Sequence, residues 1–147
     1  MTLALSGKEI STKLEQQFPG SIIEANGDSL LVKKESLFAL VSYLKTTPRF
    51  EFDYLTFVTA IDYFDYFELV YQLTSLKHNH SLVLKTRCHG REDLTAPSLV
   101  SLYKTADFQE REINDLMGIR FEGHPNLKPI FLWEGFQGYP LRKDYWE

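Results

Sequence analysis

Tyr54-Leu-Thr-Phe-Val-Thr-Ala-Ile-Asp-Tyr63, Phe67-Glu-Leu-Val-Tyr-Gln-Leu73 and Ser81-Leu-Val-Leu-Lys-Thr-Arg87 are three runs crowded with aromatic and β-branched residues. Such side chains suit a pleated, half-buried surface. A turn at Asp65 separates the first two runs. In the third, Leu82, Leu84 and Thr86 alternate with Val83, Lys85 and Arg87, the period of two of a strand with one buried face. The runs predict a sheet at the centre of the chain.

Upstream, Ser6 opens a stretch with Ile10, Leu14 and Phe18 at helical spacing, and Ser6 to Glu9 fits a capping box. Pro19-Gly20 ends it. Asn26-Gly27 lies between Ile22–Ala25 and Ser29–Lys33, a hairpin signal because both turn residues tolerate positive φ. Glu35 to Lys45 reads as a second helix with Leu37, Leu40, Val41 and Leu44 on one face. Downstream, Pro97 to Lys104 is expected to form a short helix and Phe108 to Met117 a longer one. Beyond Gly118 the regular period disappears. The expected fold is α/β of the α+β kind, a mixed or antiparallel sheet with helices on one face, and an extended C-terminal tail. Its expected division is a globular part over 1–118 and the tail over 119–147. A tail of that length without its own elements either wraps the domain or lies along something else.

Composition narrows the function. The 147 residues suffice for one hydrophobic core. A formal net charge of −4 supplies no global field for nucleic acid. The single cysteine, Cys88, excludes an intramolecular disulfide and an iron–sulfur cluster held by this chain alone. No apolar run approaches the roughly 20 residues that span a bilayer. The N-terminus lacks the pattern of a signal peptide, so a reducing, cytoplasmic-type compartment is expected. His78, His80, His89 and His124 lack compact metal-ligand spacing.

In the C-terminal third, Asp107 has the form of a helix N-cap with Glu110 reaching back, and Gly118 that of a left-handed C-cap. Ile113, Leu116 and Met117 share a core face. Arg111 and Asp115 fall opposite, one turn apart and able to pair, either as a solvated helix salt bridge or as a charged face for a partner.

Glu110-Arg-Glu-Ile-Asn-Asp-Leu-Met-Gly-Ile-Arg-Phe-Glu-Gly-His-Pro-Asn-Leu127 resembles the signature of the 30 kDa-type subunit of NADH:quinone oxidoreductase, respiratory complex I. Gly138-Tyr-Pro-Leu-Arg-Lys-Asp-Tyr145 is similar to that family's later Gly-His-Pro-Leu-Arg-Lys-Asp segment. Thr59–Tyr63 followed by Phe67–Tyr71 resembles its central hairpin, and Pro97-Ser98 sits at its usual distance before the signature. The resemblance covers roughly residues 37–145. Asn126 in place of the usual Asp, Lys128-Pro-Ile-Phe131, Tyr139 and an early end after Asp144 depart from it.

The resemblance implies a non-catalytic subunit in the hydrophilic arm of a proton-translocating NAD(P)H:quinone oxidoreductase on the cytoplasmic face of a bacterial membrane. It implies no cofactor on this chain, with FMN and iron–sulfur clusters elsewhere in the host complex. The implied partners are the large quinone-site subunit and iron–sulfur subunits, with membrane contact only through them. Its partner-facing residues would be Glu110, Arg111, Glu112, Asp115, Gly118, His124, Pro125, Pro140, Leu141, Arg142, Lys143 and Asp144, and the tail would serve the core little. Membrane-bound hydrogenases and complexes fed by ferredoxin or another donor use similar subunits. A stand-alone α/β binding module is the reading from another class. Independent acid–base catalysis could draw on Glu110, Glu112, Asp115, His124 and Arg142, but needs a convergence that sequence does not display.

Overall fold

The computed structural model describes residues 2–133 and 136–145. Its centre is the expected sheet. Strands β4 (Tyr54–Asp62), β5 (Tyr66–Ser75) and β6 (His80–His89) form an antiparallel meander. The Asn26-Gly27 hairpin joins β2 (Ile22–Ala25) to β3 (Leu30–Val32), with the Asn26 side chain accepting from the Asp28 and Ser29 N–H groups. β3 then runs parallel to β6, and the short β1 (Leu3–Ala4) pairs with the start of β6. The sheet is therefore mixed, in the order β2-β3-β6-β5-β4.

Side-chain alternation decides what lies on each face. Phe67, Leu69, Tyr71 and Leu73 of β5 and Leu82, Leu84, Thr86 and Cys88 of β6 are buried. The apolar members form one core with residues of three helices: α1 (Gly7–Gln17), α2 (Leu37–Thr46) and α3 (Ala106–Met117). Leu37, Leu40, Val41 and Leu44 of α2 are fully buried, as their spacing predicts, each worth about 2 kcal/mol when removed from water. A 3₁₀ turn at Lys34–Ser36 leads into that helix. Ser6 caps α1 by accepting from the Lys8 N–H. Gly7 is required there, because an added Cβ would lie 2.2 Å from the Ser29 carbonyl oxygen.

Two expectations are corrected. Residues 97–104 form no helix: Thr95–Pro97 is a strand (β7), followed by tight turns in which the Leu102 and Tyr103 N–H groups both donate to the Leu99 carbonyl. The stretch after Gly118 also starts with an element, β8 (Arg120–Glu122), parallel to β7. Its Phe121 and the preceding Ile119 are buried in the core, which the run of charges around them conceals. Beyond Glu122 the described residues form turns and bends without helix or strand.

Candidate functional site: the C-terminal strap and its anchors

Helix α3 presents one face to the core and another to the segment that returns over it. On the core side Glu110 is fully buried. The Ser98 hydroxyl donates to its Oε1 at 2.6 Å and the Leu99 N–H to its Oε2 at 2.8 Å. Burial pushes the Glu110 carboxyl above the usual carboxylate range, and these two donors oppose the shift. The expected capping box is thus replaced. The helix starts at Ala106 after Thr105, with no side-chain cap bond, and Glu110 ties it to the turn after β7. Gly118 does take the left-handed C-cap conformation, with φ 80° and ψ 21°, its N–H donating to the Asn114 carbonyl.

Arg111 and Asp115 do not pair with each other. The returning backbone offers both better partners than a solvated ion pair. The Arg111 guanidinium donates to the Lys128 carbonyl at 3.1 Å. Asp115 is buried, and its Oδ2 accepts from the N–H groups of Ile130, Phe131 and Leu132 at 3.2, 2.8 and 3.0 Å. Glu112 is half-buried and makes no ion pair among the described residues. His124 is fastened to the start of the same helix: Nε2 lies 3.2 Å from the Asp107 carbonyl and 3.1 Å from its carboxylate, while Nδ1 accepts from the Asn126 N–H. With Nδ1 accepting from the Asn126 N–H, Nε2 is left as the ring's donor toward Asp107. Pro125 follows in an exposed turn.

The far end of the strap is anchored to the tip of the central hairpin. The Leu141 N–H donates to the Leu116 carbonyl. Arg142 Nε donates to the Met117 carbonyl at 2.7 Å and Nη1 to the Arg91 carbonyl at 3.0 Å. Its guanidinium stands 5.0 Å from the Phe67 ring and 4.6 Å from the Tyr139 ring, and burial lowers its pKa. Asp62 receives both Arg91 Nη groups, the Phe64 N–H and the Lys143 N–H. Arg91, foremost, holds the Asp62 carboxyl far below the usual carboxylate range. Asp144 completes the group with a 2.8 Å ion pair to Arg91. Pro140 is half-buried within this turn.

Asp62, Arg91 and Ser98 were not among the expected site residues. A signal existed for Asp62: it falls in the inward phase of β4, where an unpartnered carboxylate could not be buried. Arg91 and Ser98 carry no such mark. Among the described residues no cluster of His, Cys, Asp and Glu could hold a metal ion, and no helix is long and apolar enough to cross a membrane.

The strap and its anchors lie within residues 30–146, the part of the chain that a family model matches. A family described as the respiratory-chain NADH dehydrogenase 30 Kd subunit matches residues 30–146. The C-type subunit of NADH-quinone oxidoreductase from Trichlorobacter lovleyi is 40% identical over 141 residues, covering 90% of this chain and 85% of that protein. The second such subunit of Rhizobium meliloti is 40% identical over 117 residues, 78% of this chain, and the aligned part is 63% of that longer protein. The C-type subunit of Dinoroseobacter shibae is 39% identical over 152 aligned residues, covering 99% of this chain and 69% of that protein. A solved chain from the membrane-bound sulfane sulfur reductase, an archaeal respiratory membrane complex, shares the fold with a TM-score of 0.75. At 23% identity, over 95% of this chain and 85% of that one, the likeness concerns the fold alone. With the family match spanning most of the chain and three relatives near 40% identity, the protein belongs to the family of the 30 Kd subunit of respiratory-chain NADH dehydrogenase.

Proposed function

We propose that this chain is a non-catalytic structural subunit of a proton-translocating quinone oxidoreductase, docked beside its quinone-site and iron–sulfur subunits at the cytoplasmic face of the membrane. Family membership gives the reading its frame. The observation that carries it is the outward side of the strap. Phe131, Trp133 and Leu141 remain 55%, 70% and 58% exposed although the strap backbone is bonded to α3 at Phe131 and Leu141. Phe108 of α3 packs edge-on against Phe131 and is itself exposed. Large aromatic side chains held outward on fixed backbone are the composition of an interface core rather than of a solvated surface.

In this reading the residues of α3 and the strap have a division of labour. Asp115, Arg111, His124 and Arg142 hold the strap against its own domain. Phe131, Trp133 and Leu141 meet the partner. The redox groups, FMN and iron–sulfur clusters, belong to other subunits. The test is purification of the host complex from native membranes through a tag on this chain. The quinone-site and iron–sulfur subunits should co-purify in fixed proportion, and Trp133→Ala should reduce that yield without lowering the melting temperature of the free chain. Stoichiometric iron or flavin in the separately purified chain, or unchanged yield with the variant, would defeat the reading.

A further inference from the structure

The tip of the β4–β5 hairpin carries a conformation that its sequence does not favour. The Asp65 N–H donates to the Tyr63 carbonyl at 2.9 Å across Phe64, whose φ is 69°. A bond from residue i+2 back to residue i across a positive φ is a γ-turn of the rare, strained kind. Glycine would adopt it freely, and for a bulky residue a positive φ is an outlier. The strain is held in place from several sides. The Asp62 carboxylate accepts from the Phe64 N–H at 2.8 Å, and Arg91 Nη1 donates to the Phe64 carbonyl at 3.3 Å. The Lys143 N–H donates to Asp62 at 2.8 Å, so the strap helps to lock the turn.

What this lock presents is an aromatic side chain. Phe64 is 54% exposed, beside Tyr63 at 43%. We infer that Phe64 is a preorganised anchor, set to enter an apolar socket on a neighbouring subunit of the complex. The inference rests on the reading that the chain works inside such a complex, and it adds a contact at the hairpin tip to the strap surface already described. The charges around the ring favour a protein over the other occupants. The Lys143 ammonium lies 5.5 Å from the Phe64 ring centre, and Asp65 is adjacent in the turn. Both are exposed and make no ion pair among the described residues. Arg91, also beside the ring at 5.6 Å, is already neutralised by Asp62 and Asp144. Free charges of both signs match a mixed protein rim, with an acidic group facing Lys143, whereas an anionic lipid surface or a nucleic acid would be met by one sign. Strain kept at an exposed aromatic residue is explained when the ordering it imposes is recovered on binding.

Phe64→Gly separates this role from a structural one, because glycine relieves the turn while removing the anchor. In complex-producing cells the variant chain should enter the complex about tenfold less than the wild type, the loss expected of an anchor residue. The melting temperature of the isolated variant should equal or exceed that of the wild type. Normal assembly of the variant would overturn the inference, and so would a lowered melting temperature, which would make Phe64 a residue of the fold. A photoreactive benzoylphenylalanine at position 64 supplies the second measurement. An adduct with another subunit supports the inference. Adducts only with lipid or with a second copy of this chain, or none in the assembled complex, overturn it. If the wild-type chain itself never enters a complex, the subunit reading fails first, and that outcome is distinct from normal incorporation of the Phe64 variant.

Discussion

Glu110 and Asp62 are buried carboxylates with opposite electrostatic histories, and the two should oppose each other in the stability of the free chain. Burial raises the folded-state pKa of Glu110 above an ordinary value of about 4.3. Between those values the folded chain binds more protons than the unfolded one, so stability falls as pH rises through that window. Glu110→Gln should remove the slope, because an amide does not titrate, and keep most of the stability, because it can still accept from Leu99 and meet the Ser98 hydroxyl. Glu110→Ala strands both partners and should cost about 2 kcal/mol at neutral pH. Asp62 has the reverse sign: its folded pKa is depressed, so its stabilisation is present above about pH 3.9 and is lost only as pH falls towards the lower folded value. Asp62→Asn should therefore destabilise by about 3 kcal/mol at pH 7, leaving Arg91 without its main counter-charge. Thermal melts of the wild type and the three variants from pH 3 to about pH 8 check both signs. Sequence assigned Glu110 to a cap, and the family resemblance assigned it to the partner-facing residues; in the structure it is fully buried against Ser98 and Leu99. Helical spacing carries no information that Ser98 and Leu99, one turn-rich segment away in the chain, would arrive against it.

At the scale of elements, α3 depends on the strap for its C-terminal end. Its final carbonyls would otherwise lack donors. Gly118 serves Asn114, Leu141 serves Leu116, and Arg142 serves Met117 with a cationic donor, the favourable charge at that end of a helix. Gly118 links the two halves of the arrangement: φ is 80°, and an added Cβ would lie 2.7 Å from both the Arg142 guanidinium and the Tyr139 ring. Gly118→Ala should cost about 2 kcal/mol from the left-handed backbone alone and more from displacement of Arg142. Hydrogen exchange should report it as lost protection at Leu141 and in the last turn of α3, with β5 and β6 unchanged. The elements with their own periodicity, β4 to β6 and α2, were legible because alternation and helical spacing are properties of a single stretch. β7 and β8 were not. Each has three residues and exists by pairing with the other, a contact between segments that local pattern does not encode.

For the molecule as a whole the question is whether the strap belongs to the fold or to the partner, and its geometry allows the two roles to be separated. Sequence led to the expectation of a tail of little use to the core, because nothing in 119–147 repeats with a regular period. That reasoning overlooks anchoring through backbone groups and single ionic side chains, which leave no periodic trace. Deleting residues 139–147 would remove the Arg142 bonds to two main-chain carbonyls, the Lys143 N–H from Asp62 and the Asp144 partner of Arg91. The combined loss should be about 3 kcal/mol, since several of these groups are partly buried and charged. In a chain of this size that lowers the melting temperature by roughly 6–12 °C. Leu141→Ala acts elsewhere: the side chain is exposed, while its backbone N–H, bonded to Leu116, is retained. It should leave the melting temperature within about 1 °C and the strap protected from exchange, yet reduce incorporation into the complex. Two measurements decide the matter, a melt of each free chain and native-gel quantification of each assembled complex. If the deletion melts like the wild type, the anchors contribute nothing to the fold. If Leu141→Ala assembles normally while the deletion does not, the strap serves assembly through its own docking on the domain, and its outward side chains are not the contact.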